Sequence, residues 1–281
     1  MRILLTGARG QLGHALSDEF KDEQLTGLSH SKLDITDRDA VAAALSRHEP
    51  ELLINAAAYT DVDGAESDSG LAFRMNADGP KNLATLTASA GIPLLHFSTD
   101  YVFDGNTDKP YTEDDTPCPA SEYGRSKFAG EQAIREVSDS YFIVRTSWLY
   151  HTTGHNFLRT MYELAKKGGA IRVVNDQVGS PTFAPHLCRG IRSILSGRDF
   201  GIWHIAGAGA ASWYELTVRF LHELGVTTPV VPVTTDEFPR PAPRPRYSVL
   251  ETSRDQPIVL PAWENGVVEL ANAIRANAGD R

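Results

Sequence analysis

Arg2-Ile3-Leu4-Leu5-Thr6-Gly7-Ala8-Arg9-Gly10-Gln11-Leu12-Gly13 opens the chain and decides how the rest of it is read. A short apolar run stops at a turn whose glycines stand three apart. A helical pattern follows at once, with Leu12, Ala15, Leu16 and Phe20 on one face of Gln11–Phe20. Strand, glycine turn and helix in this order form the context of a phosphate cradle. Gly7 permits the sharp turn, Gly10 lets the backbone approach a pyrophosphate, and Gly13 lets the helix pack tightly on the strand. The helix N-terminus then faces the anion. Gly7, Arg9, Gly10, Gln11 and Leu12 are the first cofactor-binding candidates.

Outward from this turn, strand-like and helix-like segments alternate. Strands are expected at Gln24–Leu28, Glu51–Asn55, Pro93–Ser98 and Tyr141–Arg145. Helices are expected at Asp37–Arg47, with Asp37 as cap, at Leu71–Ala90, bent near Gly79-Pro80, and at Ser126–Glu136. Such alternation predicts right-handed βαβ units and a parallel sheet covered on both faces, with ligands at the carboxyl ends of the strands. The second half is mixed: helices at Asn156–Lys166, Pro185–Leu195 and Ser212–Leu224, strands at Ile171–Val174 and Ile202–Ala206. Phe238–Tyr247 carries Pro239, Pro241, Pro243 and Pro245 among Arg240, Arg244 and Arg246. It reads either as a solvated linker or as a cationic wall for a substrate phosphate. The expected architecture is α/β, a Rossmann-like doubly wound parallel sheet with a smaller mixed α/β C-terminal substrate lobe. Residues 1–146, with about 156–168 and 185–206, are expected to form the dinucleotide-binding part, and about 169–184 and 207–281 the sugar-nucleotide substrate lobe.

Composition sets the outer limits. The chain has 281 residues, a hydrophobic share of 41% and a formal net charge of −9. That charge argues against a nucleic-acid binder, which shows a basic stripe. Cys118 and Cys188 have neither metal-type nor redox spacing, so two free thiols in a reducing compartment are expected. Nothing resembles a signal peptide or membrane span, and a cytoplasmic protein is expected.

Tyr123 and Lys127 lie four residues apart, on one helical face, so a phenol and an ammonium can address one substrate. A nearby ammonium stabilises a phenolate, and the pair downstream of a nucleotide turn points to redox chemistry on a carbonyl or alcohol. Arg9 inside the turn can meet a 2′-phosphate, and Ser29-His30-Ser31-Lys32 lacks the acidic residue expected for a free ribose hydroxyl. Asp34 is assigned to the adenine edge. NADP(H) is preferred, with NAD(H) admissible.

Several runs are more specific: Leu33-Asp34-Ile35-Thr36-Asp37, Asn55-Ala56-Ala57-Ala58-Tyr59-Thr60, Ser98-Thr99-Asp100-Tyr101-Val102-Phe103-Asp104-Gly105, Arg145-Thr146-Ser147-Trp148-Leu149-Tyr150 and Asp176-Gln177-Val178-Gly179-Ser180-Pro181-Thr182. With these, the chain resembles the extended short-chain dehydrogenases/reductases and, within them, the dTDP-4-dehydrorhamnose reductase family, over essentially its whole length. The resemblance implies NAD(P)H-dependent reduction of the 4-keto group of dTDP-4-dehydro-L-rhamnose, in nucleotide-sugar and cell-surface polysaccharide biosynthesis. It implies Tyr123 as proton donor, Lys127 as holder of the nicotinamide ribose and tuner of Tyr123, and Thr99 as partner of the carbonyl oxygen. Asp34, Ile35, Ala57, Ala58, Tyr59 and Thr60 join the cofactor set. Asp100, Trp148, Val62, Asn156, Gln177 and Arg244 join Thr99 as substrate contacts. Some relatives join two subunits through Mg²⁺ held by an acidic residue after the glycine turn; here His14 and Ala15 follow Gly13, so no metal is expected, and the protein is expected as a monomer or homodimer. A nucleotide-sugar epimerase or dehydratase, and a non-catalytic NADP-binding regulatory subunit, stand as alternatives.

Overall fold

The computed structural model describes residues 1–197 and 199–279. Six parallel strands form the central sheet: β1 (Arg2–Thr6), β2 (Gln24–Leu28), β3 (Leu52–Asn55), β4 (Leu94–Thr99), β5 (Tyr141–Thr146) and β10 (Gly201–His204), in the order β10-β5-β4-β3-β1-β2. β1, β3 and β4 are buried on both faces, which is why they read as continuous apolar runs instead of alternating. The chain leaves β1 toward β2, then returns to the other side of β1 at β3. This reversal creates the crevice where ligands of such sheets sit.

The helices begin where their caps stand. Asp37 Oδ1 accepts from the N–H groups of Asp39 and Ala40, both at 3.0 Å, and starts α2 (Arg38–His48), which follows α1 (Gln11–Glu19). After α3 (Val62–Ser67), the helix expected at Leu71–Ala90 is broken into α4 (Ser69–Phe73), a π-helical turn at Arg74–Asp78 and α5 (Gly79–Ser89). Pro80 has no N–H to give the Asn76 carbonyl, so the turn widens at this point. The freed carbonyl is where the next helix crosses: a Cβ on Gly130 would lie 2.1 Å from Asn76 O. That helix, α6 (Glu122–Val137), starts four residues before the expected Ser126, because Ser121 Oγ accepts from the Gly124 N–H at 3.1 Å. Tyr123 and Lys127 are therefore both inside the helix.

Two cores result. The first packs α1 and α8 (Ala184–Gly197) on one face of the sheet, through Leu12, Leu16, Phe20, Leu187 and Ile191. The second lies beyond the sheet. It gathers α7 (Phe157–Lys167), the parallel pair β7 (Ile171–Val174) and β12 (Val230–Val233), α9 (Trp213–Glu223) and α10 (Trp263–Gly279). Between α7 and α9 run short strands, β6 (Leu149–Tyr150), β8 (Val178–Gly179), β9 (Thr182–Phe183) and β11 (Ala211–Ser212). The segment 156–168, expected with the dinucleotide part, instead gives Leu158, Met161 and Ala165 to this second core. Its apolar stripe covers β7, so packing and not chain order decides its place. Ser212 caps α9 reciprocally with Glu215, as its position before the amphipathic run suggested. Neither β12 nor α10 was anticipated.

Candidate active site

The glycine turn is built as the spacing predicts. Gly7 has φ +69°, and a Cβ there would lie 2.5 Å from the Ala56 carbonyl carbon, so the loops after β1 and β3 touch at the crevice. A Cβ on Gly13 would lie 2.3 Å from Gly7 O, which fixes how closely α1 sits on β1. Gly10 differs: the atom nearest to an added Cβ is Gly7 O at 3.4 Å, so its outer side is open. No side chain caps α1. Its first N–H groups have no partner within the helix and point into that opening, so the cradle fits a pyrophosphate. Arg9 is exposed beside it. Gln11 reaches across to donate from Nε2 to His155 O at 2.8 Å. The side chains of Leu12 and Ile35 are core, so only their backbone can serve a cofactor. Asp34 accepts from the Thr36 N–H (2.9 Å) and Oγ1 (2.8 Å), which holds its carboxyl below the usual range.

At the carboxyl ends of β3 and β4 the reacting groups converge. Asn76, on the π-helical turn, holds the Ala57-Ala58-Tyr59-Thr60 loop by accepting from the Tyr59 N–H (2.9 Å) and donating to Tyr59 O (3.0 Å). It also donates to Ser126 Oγ on α6 at 3.0 Å. Tyr123 packs with Tyr59, Val62 and Tyr101, and the Tyr101 ring meets it edge-on at 5.6 Å. Burial pushes the Tyr123 phenol up to about 12, with Asp100 acting the same way and the adjacent Thr99 hydroxyl opposing. Tyr123 is thus a protonated phenol.

The expected lowering of Tyr123 by Lys127 is absent from this arrangement. Lys127 Nζ donates to Phe97 O at 2.6 Å and lies 3.4 Å from His96 Nε2. Burial lowers the ammonium to about 8, against the pull of Glu131 one turn further along α6. Glu131 is occupied by Arg145 on β5, which donates from Nε and Nη2 at 2.9 and 2.7 Å. The sequence carries a signal for this, because Tyr123, Lys127 and Glu131 repeat at intervals of four.

The substrate candidates divide. Thr99 and Asp100 are brought to Tyr123, and burial pushes the Asp100 carboxyl up to about 6. Asp100 accepts from Thr99 Oγ1 (3.0 Å) and from Ser248 Oγ (2.6 Å), so it serves first to position Thr99. Trp148 stands at φ +46°, a left-handed conformation rare outside glycine, with its ring stacked on Trp213 at 3.5 Å. Gly179 lies against it: a Cβ there would be 2.6 Å from the indole. Strain of this kind persists where the surroundings dictate it. Trp213 was missed because it lies 65 residues away in sequence.

Three expected contacts are engaged elsewhere. Asn156 caps α7, accepting from the Arg159 N–H at 3.1 Å and donating to His151 O at 2.9 Å. Gln177 donates to Thr235 Oγ1 at 3.0 Å. Arg244 pairs with Asp63 at 3.0 Å and donates to Ala242 O at 3.0 Å. Its segment is thereby clasped to α3 beside Val62 and is not a free linker, while Arg240 and Arg246 stay exposed. Asn156 is held by neighbours within five residues, whereas Gln177 and Arg244 reach partners remote in sequence.

Comparison with known proteins extends the picture. Residues 1–276 match the family model of the RmlD substrate binding domain. A probable dTDP-4,6-dihydroxy-2-methyloxan-3-one 4-ketoreductase of Streptomyces antibioticus is 44% identical over 90% of this chain and 88% of its own. A dTDP-4-dehydrorhamnose reductase of Mycolicibacterium smegmatis is 40% identical over 99% and 86%. Among solved structures, a Bacillus anthracis dTDP-4-dehydrorhamnose reductase in complex with NADP superposes with a TM-score of 0.93 at 38% identity, covering 96% of this chain and 98% of that one.

Proposed function

Since the chain belongs to the RmlD substrate binding domain family, we propose that it reduces the 4-keto group of dTDP-4-dehydro-L-rhamnose to give dTDP-L-rhamnose, as an NADPH-dependent oxidoreductase. The observation that carries this reading is the buried, protonated Tyr123 beside Thr99, at the end of a crevice that begins with an open dinucleotide cradle.

NADPH, when bound, supplies the hydride that reduces the ketone. The chain's own residues do the rest. Backbone amides of the α1 N-terminus and the open side of Gly10 hold the pyrophosphate, and exposed Arg9 addresses the 2′-phosphate. The Ala57–Thr60 loop, held by Asn76, and the N–H donors of Lys127 not taken by Phe97 O would hold the nicotinamide ribose when the cofactor is bound. Tyr123 gives its proton to the oxygen that becomes the alcohol. Thr99, oriented by Asp100, stands beside that oxygen. Half-buried Tyr59, Val62 and Tyr101 narrow solvent access to Tyr123, and in such surroundings a placed donor counts most. The second lobe, with Trp148 on Trp213, takes the dTDP-sugar.

NADPH oxidation with dTDP-4-dehydrorhamnose generated in situ tests the reading. One cofactor consumed per sugar is expected; an epimerase would return the hydride and show no net consumption. The 44% identity to the Streptomyces 4-ketoreductase favours a second reading, reduction of a related dTDP-deoxysugar ketone. The ratio of kcat/KM on the two sugars decides, and no turnover of either ends both readings.

Arg9→Ala is expected to weaken NADPH binding about tenfold or more, the scale of one charged hydrogen bond, while leaving NADH nearly unchanged. Equal losses in fluorescence titrations with both cofactors would remove Arg9 as the phosphate partner. No helix among the described residues is long and apolar enough to cross a membrane. The net charge of −9 gives the chain no overall basic surplus of the kind a nucleic-acid binder carries.

A further inference from the structure

The Ala57 N–H can only donate, and it donates to Asn55 Oδ1 at 3.1 Å, where Thr6 Oγ1 also donates at 2.6 Å. The Asn55 amide is thereby oriented: its Nδ2, a pure donor, faces His96 Nδ1 at 2.9 Å. Nδ1 is the acceptor, so the neutral ring carries its proton on Nε2. That N–H faces Lys127 Nζ, 3.4 Å away. An ammonium has only donors, so the two groups meet hydrogen to hydrogen, whereas a neutral amine offers a lone pair.

We propose that His96 is a positioning residue for Lys127: Asn55 locks its ring as the Nε2–H tautomer, and the N–H it presents disfavours the ammonium form of Lys127. The reductase reading is presupposed for the consequence, which is that Lys127 changes charge within the working pH range of the site. Burial alone lowers Lys127, and the neutral tautomer acts in the same direction. His96 itself is kept neutral by burial and by Lys127.

The other groups around Lys127 are accounted for. On α6, Glu131 pulls the other way but is bound by Arg145 from β5, and Tyr123 is protonated. From the π-helical turn, Asn76 meets Ser126. α3 directs Glu66 at the Glu122 N–H and Asp63 at Arg244, α4 is capped by Asp68, and Asp100 is held by Thr99 and Ser248. Lys81 on α5 is exposed.

Histidine ring-nitrogen NMR on the substrate-free parent tests the tautomer directly, and activity toward any sugar has no bearing on it. A proton on Nε2 of His96 is expected; a proton on Nδ1 overturns the proposal. Lysine side-chain NMR then follows Lys127 through pH. In His96→Phe the opposing N–H is gone. In Asn55→Asp the new carboxylate draws the ring proton to Nδ1 and turns the Nε2 lone pair toward Lys127. Both variants are expected to raise the Lys127 midpoint by about one pH unit, a tenfold gain in proton affinity. In the kcat/KM profile the basic limb moves up by the same amount. An unchanged midpoint in a folded variant, or an equal loss of rate at every pH, marks His96 as packing alone.

Discussion

Tyr123→Phe is expected to lower kcat/KM for ketone reduction by about 100-fold to 10,000-fold, the range that a placed general acid supplies. The residue removed is a single oxygen, and the ring contacts with Tyr59, Val62 and Tyr101 remain. Cofactor affinity and thermal midpoint are therefore expected to stay near the parent's. The loss should fall on kcat, because the proton is transferred only in the transition state. Solvent in this buried site cannot easily replace the donor. Stopped-flow NADPH oxidation beside a cofactor titration separates the two effects. Equal rates for variant and parent would mean that another group protonates the sugar oxygen.

Glu131→Ala is expected to destabilise the fold by about 3–5 kcal/mol, the cost of leaving one half of a buried ion pair without its partner. Glu131 and Arg145 are almost wholly inaccessible, at 0% and 1% exposure, so no water can take over for the missing carboxylate. Arg145 keeps the Phe103 ring at 5.2 Å and a contact with His204 Nε2 at 3.3 Å, but neither neutralises it. The double variant Glu131→Leu with Arg145→Met removes both charges and should recover most of the stability, since apolar replacement of a buried pair is often neutral or better. Urea denaturation of the three proteins measures this. A single variant as stable as the parent would show that the guanidinium finds another partner. The pair ties α6 to β5, so its loss also loosens the helix that carries Tyr123 and Lys127.

Local pattern carried most of the sheet. The strands at Gln24–Leu28, at the edge of the central sheet, and at Ile171–Val174, paired with β12, appear as expected. Helix limits slipped where a cap outweighed the pattern, as at Ser121, or where a proline freed a carbonyl, as at Pro80. The site was partly legible. The turn spacing of Gly7, Gly10 and Gly13 is set by neighbours in sequence and the shared face of Tyr123 and Lys127 by helix geometry, whereas the approach of Gly7 to Ala56 is not. The partners of Gln177 and Arg244 were not legible, because they lie 58 and 181 residues away, beyond any local spacing.

By itself, the sequence determined the parallel sheet, the dinucleotide turn and the shared face of Tyr123 and Lys127, because each follows from steric and periodic rules acting within about a dozen residues. Tertiary structure alone decided the protonation of that face. Burial keeps Tyr123 a phenol, Phe97 O and His96 take up the Lys127 amine, and Ser248 anchors the carboxylate that orients Thr99. The physical reason is that proton affinity depends on desolvation and on the direction of nearby donors, and both are set by residues brought together only when the strands and helices pack.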